Sequence, residues 1–205
     1  MKAVVTADVV NSTLVKAADF NDLSDKIKAI YEKDKIEFYR GDSFQVLVND
    51  AEKAFLQSIL SRLLAMQYSN KQEIDIRMSI SLGKLSSNSE KIGSNMDDLF
   101  VRSGRAFDKF QNSTRRLYVV SGNESIDFTF EIMAEYMDSL LENITPRQAE
   151  VLYYMLKGMS QVEIARQLDK TTATINQHVK TARYTEIESL LKKFVILTQQ
   201  LQDGR

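Results

Sequence analysis

Apolar and β-branched residues crowd "KAVVTADVV" at the start of the chain, and this run predicts a strand ending near Asp8. The spacing of Leu23, Ile27 and Ile30 in "DFNDLSDKIKAIYEK" predicts a helix. Two β-type runs follow, "KIEFY" and "SFQVLV", separated by Arg40, Gly41 and Asp42, which predicts a hairpin with glycine at its tightest point. "AEKAFLQSILSRLLAMQY" carries Phe55, Ile59, Leu63 and Met66 on one helical face. "IDIRMSISLGKL" alternates Ile74, Ile76, Met78 and Ile80 as a strand does, "MDDLFVRSGRAFDKFQ" returns to helical spacing, and "RRLYVV" closes as a strand. The predicted order is β-α-β-β-α-β-α-β. A hairpin inside an alternating pattern predicts an α+β fold, a mixed sheet with packed helices of the split-βαβ or ferredoxin-like kind.

The period becomes purely helical after this. "SIDFTFEIMAEYMDSLLENI" places Phe130, Met133, Met137, Leu140 and Leu141 on one side of a connecting helix, assigned to residues 125–144. Thr145 followed by Pro146, the chain's sole proline, marks a helix start. The predicted division is therefore an α/β domain over 1–124, the connecting helix, and an all-α domain over 145–205. In that last part Gly158 ends a helix and Ser160 caps "QVEIARQL". "DKT" makes a turn, and Thr171 caps a third helix with Ile175 and Val179 inward. This is the cadence of a helix-turn-helix. The helix that begins at "TEIESLLKKF" is expected to continue the third one without a break, as an amphipathic helix suited to homodimer formation.

Charge sharpens that division. Residues 1–124 hold 18 Lys+Arg against 17 Asp+Glu, residues 125–145 hold 0 against 5, and residues 146–205 hold 9 against 6. The C-terminal part is thus basic and the connecting helix acidic, a distribution compatible with double-stranded DNA as a partner. Thr172, Thr174, Gln177, Lys180 and Arg183 lie outward on the third helix. They offer hydroxyl, amide and cationic groups to base edges and phosphates. Ser160, Gln161 and Thr171, at the helix starts, complete the DNA-binding set. With no cysteine and one histidine, His178, thiolate chemistry is excluded and histidine metal sites are disfavoured. Asp8 interrupts the short apolar start, so no secretory signal is read there, and no stretch has the length of a membrane span. A cytoplasmic protein is expected.

Chemistry in the first domain centres on two aspartates. "RGDS" at residues 40–43 admits three readings: an adhesion ligand, a hairpin turn, or part of a metal and phosphate site. The adhesion reading needs export, which nothing in the chain supports. If the first strand pairs beside the hairpin, Asp8 and Asp42 meet at one sheet end. A hard cation such as Mg²⁺ or Mn²⁺ suits two carboxylates, a backbone carbonyl such as that of Val9, water and phosphate oxygens. Gly41 allows close backbone approach, and Asn11, Ser12, Thr13, Arg40 and Ser43 are candidate phosphate or nucleotide contacts. Arg102 and Arg105 are candidate phosphate clamps, since guanidinium groups bind oxyanions bidentately.

"TADVVNST", "YRGDSF" and the strand "DIRMSISLG" resemble the palm domain of class III nucleotidyl cyclases and diguanylate cyclases. That resemblance implies metal-holding roles for Asp8 and Asp42. Over nearly the full length, "TADVVNS", "YRGDSFQ", "IRMSISLG", "FVRSGRAFD" and "TPRQAE" resemble the bacterial SatD family. "TPRQAEVL", "GMSQVEIARQL" and "TTATINQHV" resemble LuxR-type DNA-binding domains. The departures from active cyclases are specific: Arg102 stands where they place an Asn, and Ala106 where they place a transition-state Arg. The expected function is a bacterial transcription regulator whose palm senses a metal and nucleotide. Its rivals are a metal-dependent nucleotidyl-transfer enzyme and a degenerate palm used for dimerisation.

Overall fold

The structure, a computed structural model, describes residues 1–39, 41–85, 92, 97–110 and 113–204. Five strands form one sheet in the order β2-β3-β1-β4-β5. They are β1 (Lys2–Val10), β2 (Lys35–Tyr39), β3 (Ser43–Val48), β4 (Asp75–Gly83) and β5 (Leu117–Val120). The central β1 runs antiparallel to both β3 and β4, and β5 joins β4 in parallel. Helices α1 (Ala17–Ile30), α2 (Ala54–Met66) and α3 (Asp98–Phe110) connect the strands. The α+β order read from the sequence is therefore present. β1 extends past Asp8 to Val10 because its last residues still pair, Val9 with Ile76 and Val10 with Asp75.

Strand alternation sorts the two sheet faces by chemistry. Ala3, Val5, Ala7 and Val9 on β1, Phe44, Val46 and Val48 on β3, and Ile76, Met78, Ile80 and Leu82 on β4 are all buried in one core. The residues between them on β1, β3 and β4 include Thr6, Asp8, Ser43, Gln45, Arg77, Ser79 and Ser81, which share the opposite face. α3 covers part of that polar face, where Ser103 Oγ lies 2.8 Å from Thr6 Oγ1 and Ser79 Oγ donates to the Ser103 carbonyl at 2.8 Å.

Helix α4 (Glu124–Leu141) packs on β5, and its C-terminal end leads to α5 (Pro146–Leu156), α6 (Gln161–Gln167), α7 (Thr172–Thr181) and α8 (Tyr184–Asp203). The main core continues through Phe130, Met133 and Met137 of α4, Ala149 and Leu152 of α5, and Ile187, Leu190 and Phe194 of α8. Phe194 stacks on Phe55 of α2 with ring centroids 4.7 Å apart. The apolar face of α8, on which a dimer contact was expected, thus packs inside its own chain. Ionic groups tie α4 to the sheet as well. Arg62 of α2, 1% exposed, donates to both carboxylate oxygens of Asp75 at 3.0 and 2.8 Å and to Asp138 of α4 at 2.6 Å. The other Asp138 oxygen accepts the backbone N–H groups of Arg116 and Leu117, where β5 begins.

Candidate metal and nucleotide site and helix-turn-helix

Asp8 and Asp42 do meet at one end of the sheet. Asp8 pairs with Ser43 across β1 and β3, and the Val9 N–H donates to the Asp42 carbonyl at 3.2 Å. N–H and C=O of one strand residue point the same way, so the Val9 carbonyl also faces the hairpin. Gly41 holds φ +88° there, a conformation that costs other residues energy. Ser43 Oγ donates to Asp8 Oδ1 at 3.0 Å, and Ser12 Oγ donates to Asp42 Oδ2 at 2.5 Å. Burial raises the Asp8 pKa above the usual carboxylate value, the Ser43 hydrogen bond opposes this, and the nearby Asp42 charge adds to the rise. Two carboxylates that repel each other at a half-buried strand end form a donor set a hard cation relieves.

Among the described residues no group of three or more His, Cys, Asp or Glu side chains that could hold a metal ion assembles, and Asp8 and Asp42 are two carboxylates. That number suits Mg²⁺, which keeps water and phosphate oxygens in its remaining positions. Beside Asp8 opens a cleft of about 340 Å³ lined by Thr6, Asp8, Tyr39, Ser43, Gln45, Gly104, Phe107 and Asp108. Gln45 Nε2 donates to Thr6 Oγ1 at 2.9 Å on its floor. Across β1 and β4 Asp8 pairs with Arg77, whose buried Nε has no hydrogen-bond partner among the described residues. Sequence reasoning missed Thr6, Gln45, Asp108 and Arg77. For the strand residues the signal was alternation, with Thr6 and Asp8 on β1, Ser43 and Gln45 on β3, and Arg77, Ser79 and Ser81 on β4, whereas Asp108 is brought to the cleft by α3.

The remaining candidates divide. Ser12 is at the site, and Thr13 is exposed in the adjoining turn. Asn11 sits at φ +58°, and its side-chain amide donates to the Glu73 carbonyl at 2.7 Å, so it anchors the turn instead of facing a ligand. Arg40 lies outside the described residues. Arg105 is exposed on α3 and does not line the cleft.

Arg102 requires a correction. Its guanidinium sits at the other end of β4, donating to Ser81 Oγ at 2.9 Å, the Leu82 carbonyl at 3.0 Å and the Ser121 carbonyl at 2.6 Å. A Cβ on Gly83 would lie 2.9 Å from its Nη2, so that glycine leaves room for the clamp. The α3 helix places Arg102 at the strand ends of β4 and β5, where three protein oxygens accept its hydrogen bonds. It is not brought to the aspartates.

The C-terminal helices form the expected helix-turn-helix. Thr145 with Gln148, and Ser160 with Glu163, make capping boxes at α5 and α6. Val151, Ile164, Ala165, Ile175 and Val179 pack as a separate small core, and Asp169 turns the chain at φ +51°. Thr171 caps α7 by accepting from the Thr174 N–H at 3.1 Å. Gln177 and Lys180 are exposed on the face of α7 opposite Ile175 and Val179, with Thr172 exposed near its start and Thr174 partly buried. Gln161 is partly engaged, accepting from Asn176 Nδ2 at 3.2 Å.

The expectation of an unbroken helix from α7 into α8 fails. Arg183 adopts φ +55° and separates the two helices. Its guanidinium donates to Tyr136 Oη at 2.8 Å and to Glu186 Oε1 at 3.0 Å. A left-handed residue breaks the helix here, and partners from α4 and α8 hold it. Arg183 therefore stands at a junction, beyond the third helix on which it was placed.

Residues 134–185 match the family model described as sigma-70, region 4. The match begins inside α4, ahead of Thr145, and takes in α5, α6 and α7. A crystal structure of the guanylyl cyclase Cya2 aligns over 53% of this chain and 69% of its own, with 14% identity and a TM-score of 0.38. No curated protein matches the chain. No helix among the described residues is long and apolar enough to cross a membrane.

Proposed function

We propose that the chain is a DNA-binding transcription regulator whose α/β domain senses a divalent cation together with a nucleotide. The observation that carries the sensing half is the meeting of Asp8 and Asp42 at one strand end, beside a polar cleft. The DNA-binding half is supported by the sigma-70 region 4 match and by the exposed Gln177 and Lys180 on α7. The sequence resemblance to the SatD family is consistent with one chain holding both.

In this reading Asp8, Asp42 and the Val9 carbonyl hold Mg²⁺ or Mn²⁺. The cation supplies charge that binds phosphate oxygens. The Ser12 hydroxyl, which donates to Asp42, holds that carboxylate in place; Thr13 in the adjoining turn offers a hydroxyl to the phosphate oxygens, and Gln45 and Asp108 line the cleft beside Asp8. Gln177 reads base edges while Lys180 holds a phosphate. The Arg62–Asp75–Asp138 network joins the sheet to α4, and Arg183–Tyr136 joins α4 to the end of α7. Occupancy at one end thereby has a protein path to the other. A ligand shifts the DNA-binding state only if it prefers one arrangement of these contacts.

Calorimetric titration of nucleoside triphosphates with and without Mg²⁺, on wild type and Asp8→Ala, tests the sensor. Mg²⁺-dependent binding that Asp8→Ala removes is expected, and absence of binding to wild type sinks the proposal. Mass spectrometry of the same mixtures separates sensing from nucleotidyl transfer. A new cyclic or linked product, lost in Asp42→Ala, establishes the enzyme instead.

A further inference from the structure

Helix α4 is apolar on two opposite faces. One face, Phe130, Met133, Ala134, Met137, Leu140 and Leu141, is buried in the core. On the other, Phe128, Ile132 and Tyr136 are 65%, 52% and 39% exposed. Their spacing of four residues aligns them in one stripe along the helix. Single exposed apolar residues are ordinary, but an aligned row of three large ones on one helix marks an interaction surface.

The charge around the stripe says what it takes. α4 contains no Lys or Arg, and its acidic residues are Glu124, Asp127, Glu131, Glu135 and Asp138. Asp127 accepts from the Ser121 and Gly122 backbone N–H groups at the start of the helix, and Asp138 is spent on Arg62 and β5. Glu124, Glu131 and Glu135 remain along one flank of the stripe. Arg115 pairs with Glu131 at 3.0 Å and Glu135 at 3.4 Å, one cation for two carboxylates. An antiparallel two-fold contact between copies of α4 sets this acidic flank against itself, which like charges oppose. Nucleic acid and anionic lipid surfaces are opposed by the same charge.

We propose that the outward face of α4 is a docking surface for a basic amphipathic helix of a partner protein. Its apolar side covers Phe128, Ile132 and Tyr136, and its Lys or Arg residues meet Glu124, Glu131 and Glu135. The stripe ends at Tyr136, whose hydroxyl accepts from Arg183 at the junction of α7 and α8. A partner seated there therefore touches the residue that anchors the helix-turn-helix to α4. This site is independent of the aspartate pair.

The test uses the full chain and a fluorescently labelled helical peptide of Leu and Lys with a single apolar stripe. A peptide with Glu in place of every Lys serves as its counterpart, and both are followed by anisotropy. The Leu/Lys peptide is expected to bind, more weakly as salt rises, and the Leu/Glu peptide not to bind. Phe128→Ser with Ile132→Ser should weaken binding at least about tenfold, as loss of central anchors does. Ile196→Ser, at an exposed apolar residue of α8, should leave it unchanged. Circular dichroism checks that the double variant is folded. Failure of the Leu/Lys peptide to bind wild type, or equal binding to the double variant, overturns the proposal. So does a wild-type dimer by light scattering that the double variant abolishes, since a second copy is then the occupant.

Discussion

At the residue scale, Asp8 lies beside Asp42 where its sequence context puts it, whereas Arg102 lies at the far end of β4. Asp8 is half-buried beside Asp42, and its raised pKa means that the folded chain binds its proton more tightly than the unfolded chain does. Its contribution to stability therefore falls as pH rises through that raised value, and at neutral pH the ionised group works against the fold. Asp8→Asn should leave the metal-free protein as stable as wild type or more so. The same variant should lose any rise in Tm on adding Mg²⁺ or Mn²⁺. A lower metal-free Tm with the metal response intact would contradict the assignment. Arg102→Ala should do the opposite. It strands the Ser81 hydroxyl and two carbonyls, costing about 1–3 kcal/mol in denaturant unfolding, while the metal response persists. Asp8 was legible because a strand end and a hairpin turn are fixed by local pattern, and the split-βαβ order brings them together. Arg102 was not, because its direction is set by where α3 lies on the sheet.

At the element scale, α4 and α7 show how far periodicity reaches. The apolar side of α4 was read correctly from spacing, but the second stripe at Phe128, Ile132 and Tyr136 was not separated from it. The break after α7 was invisible because Arg183 is not glycine and its left-handed conformation depends on Tyr136, 47 residues earlier. The polar sheet face escaped notice for a similar reason. Thr6, Gln45 and Arg77 each read as the solvent side of a strand, and only the sheet order makes them one surface. Asp138 is the element-level connector between α4 and the sheet. Asp138→Ala leaves the buried Arg62 with Asp75 alone and strands two backbone N–H groups. A loss of about 3–5 kcal/mol is expected in chemical denaturation, and a loss under 1 kcal/mol would show the network to be incidental. On α7, Lys180→Ala should weaken binding to duplex DNA uniformly across sequences. It should also lower the slope of log K against log salt by about 1 if Lys180 holds one phosphate. An unchanged slope would remove Lys180 from the interface.

At the scale of the whole molecule, the α/β sheet and the C-terminal helices share one hydrophobic core through α2, α4, α5 and α8. The sequence suggested two domains joined by a helix, and the charge contrast across Pro146 is real. Spacing within each helix could not show that the faces of α4, α5 and α8 close on α2. That core takes in α5 and α8, while α6 and α7 pack on α5 in a small core of their own, so α5 links the sheet to the helix-turn-helix, a link a sensor needs if occupancy is to be felt as DNA affinity. The most direct measurement is the affinity for a DNA fragment selected by this protein from genomic DNA, at fixed ionic strength. It is taken with and without Mg²⁺ plus a nucleoside triphosphate, on wild type and on Asp42→Asn. The account predicts a change of about fivefold or more in wild type and none in Asp42→Asn. Equal affinity in wild type with and without the ligands would contradict it.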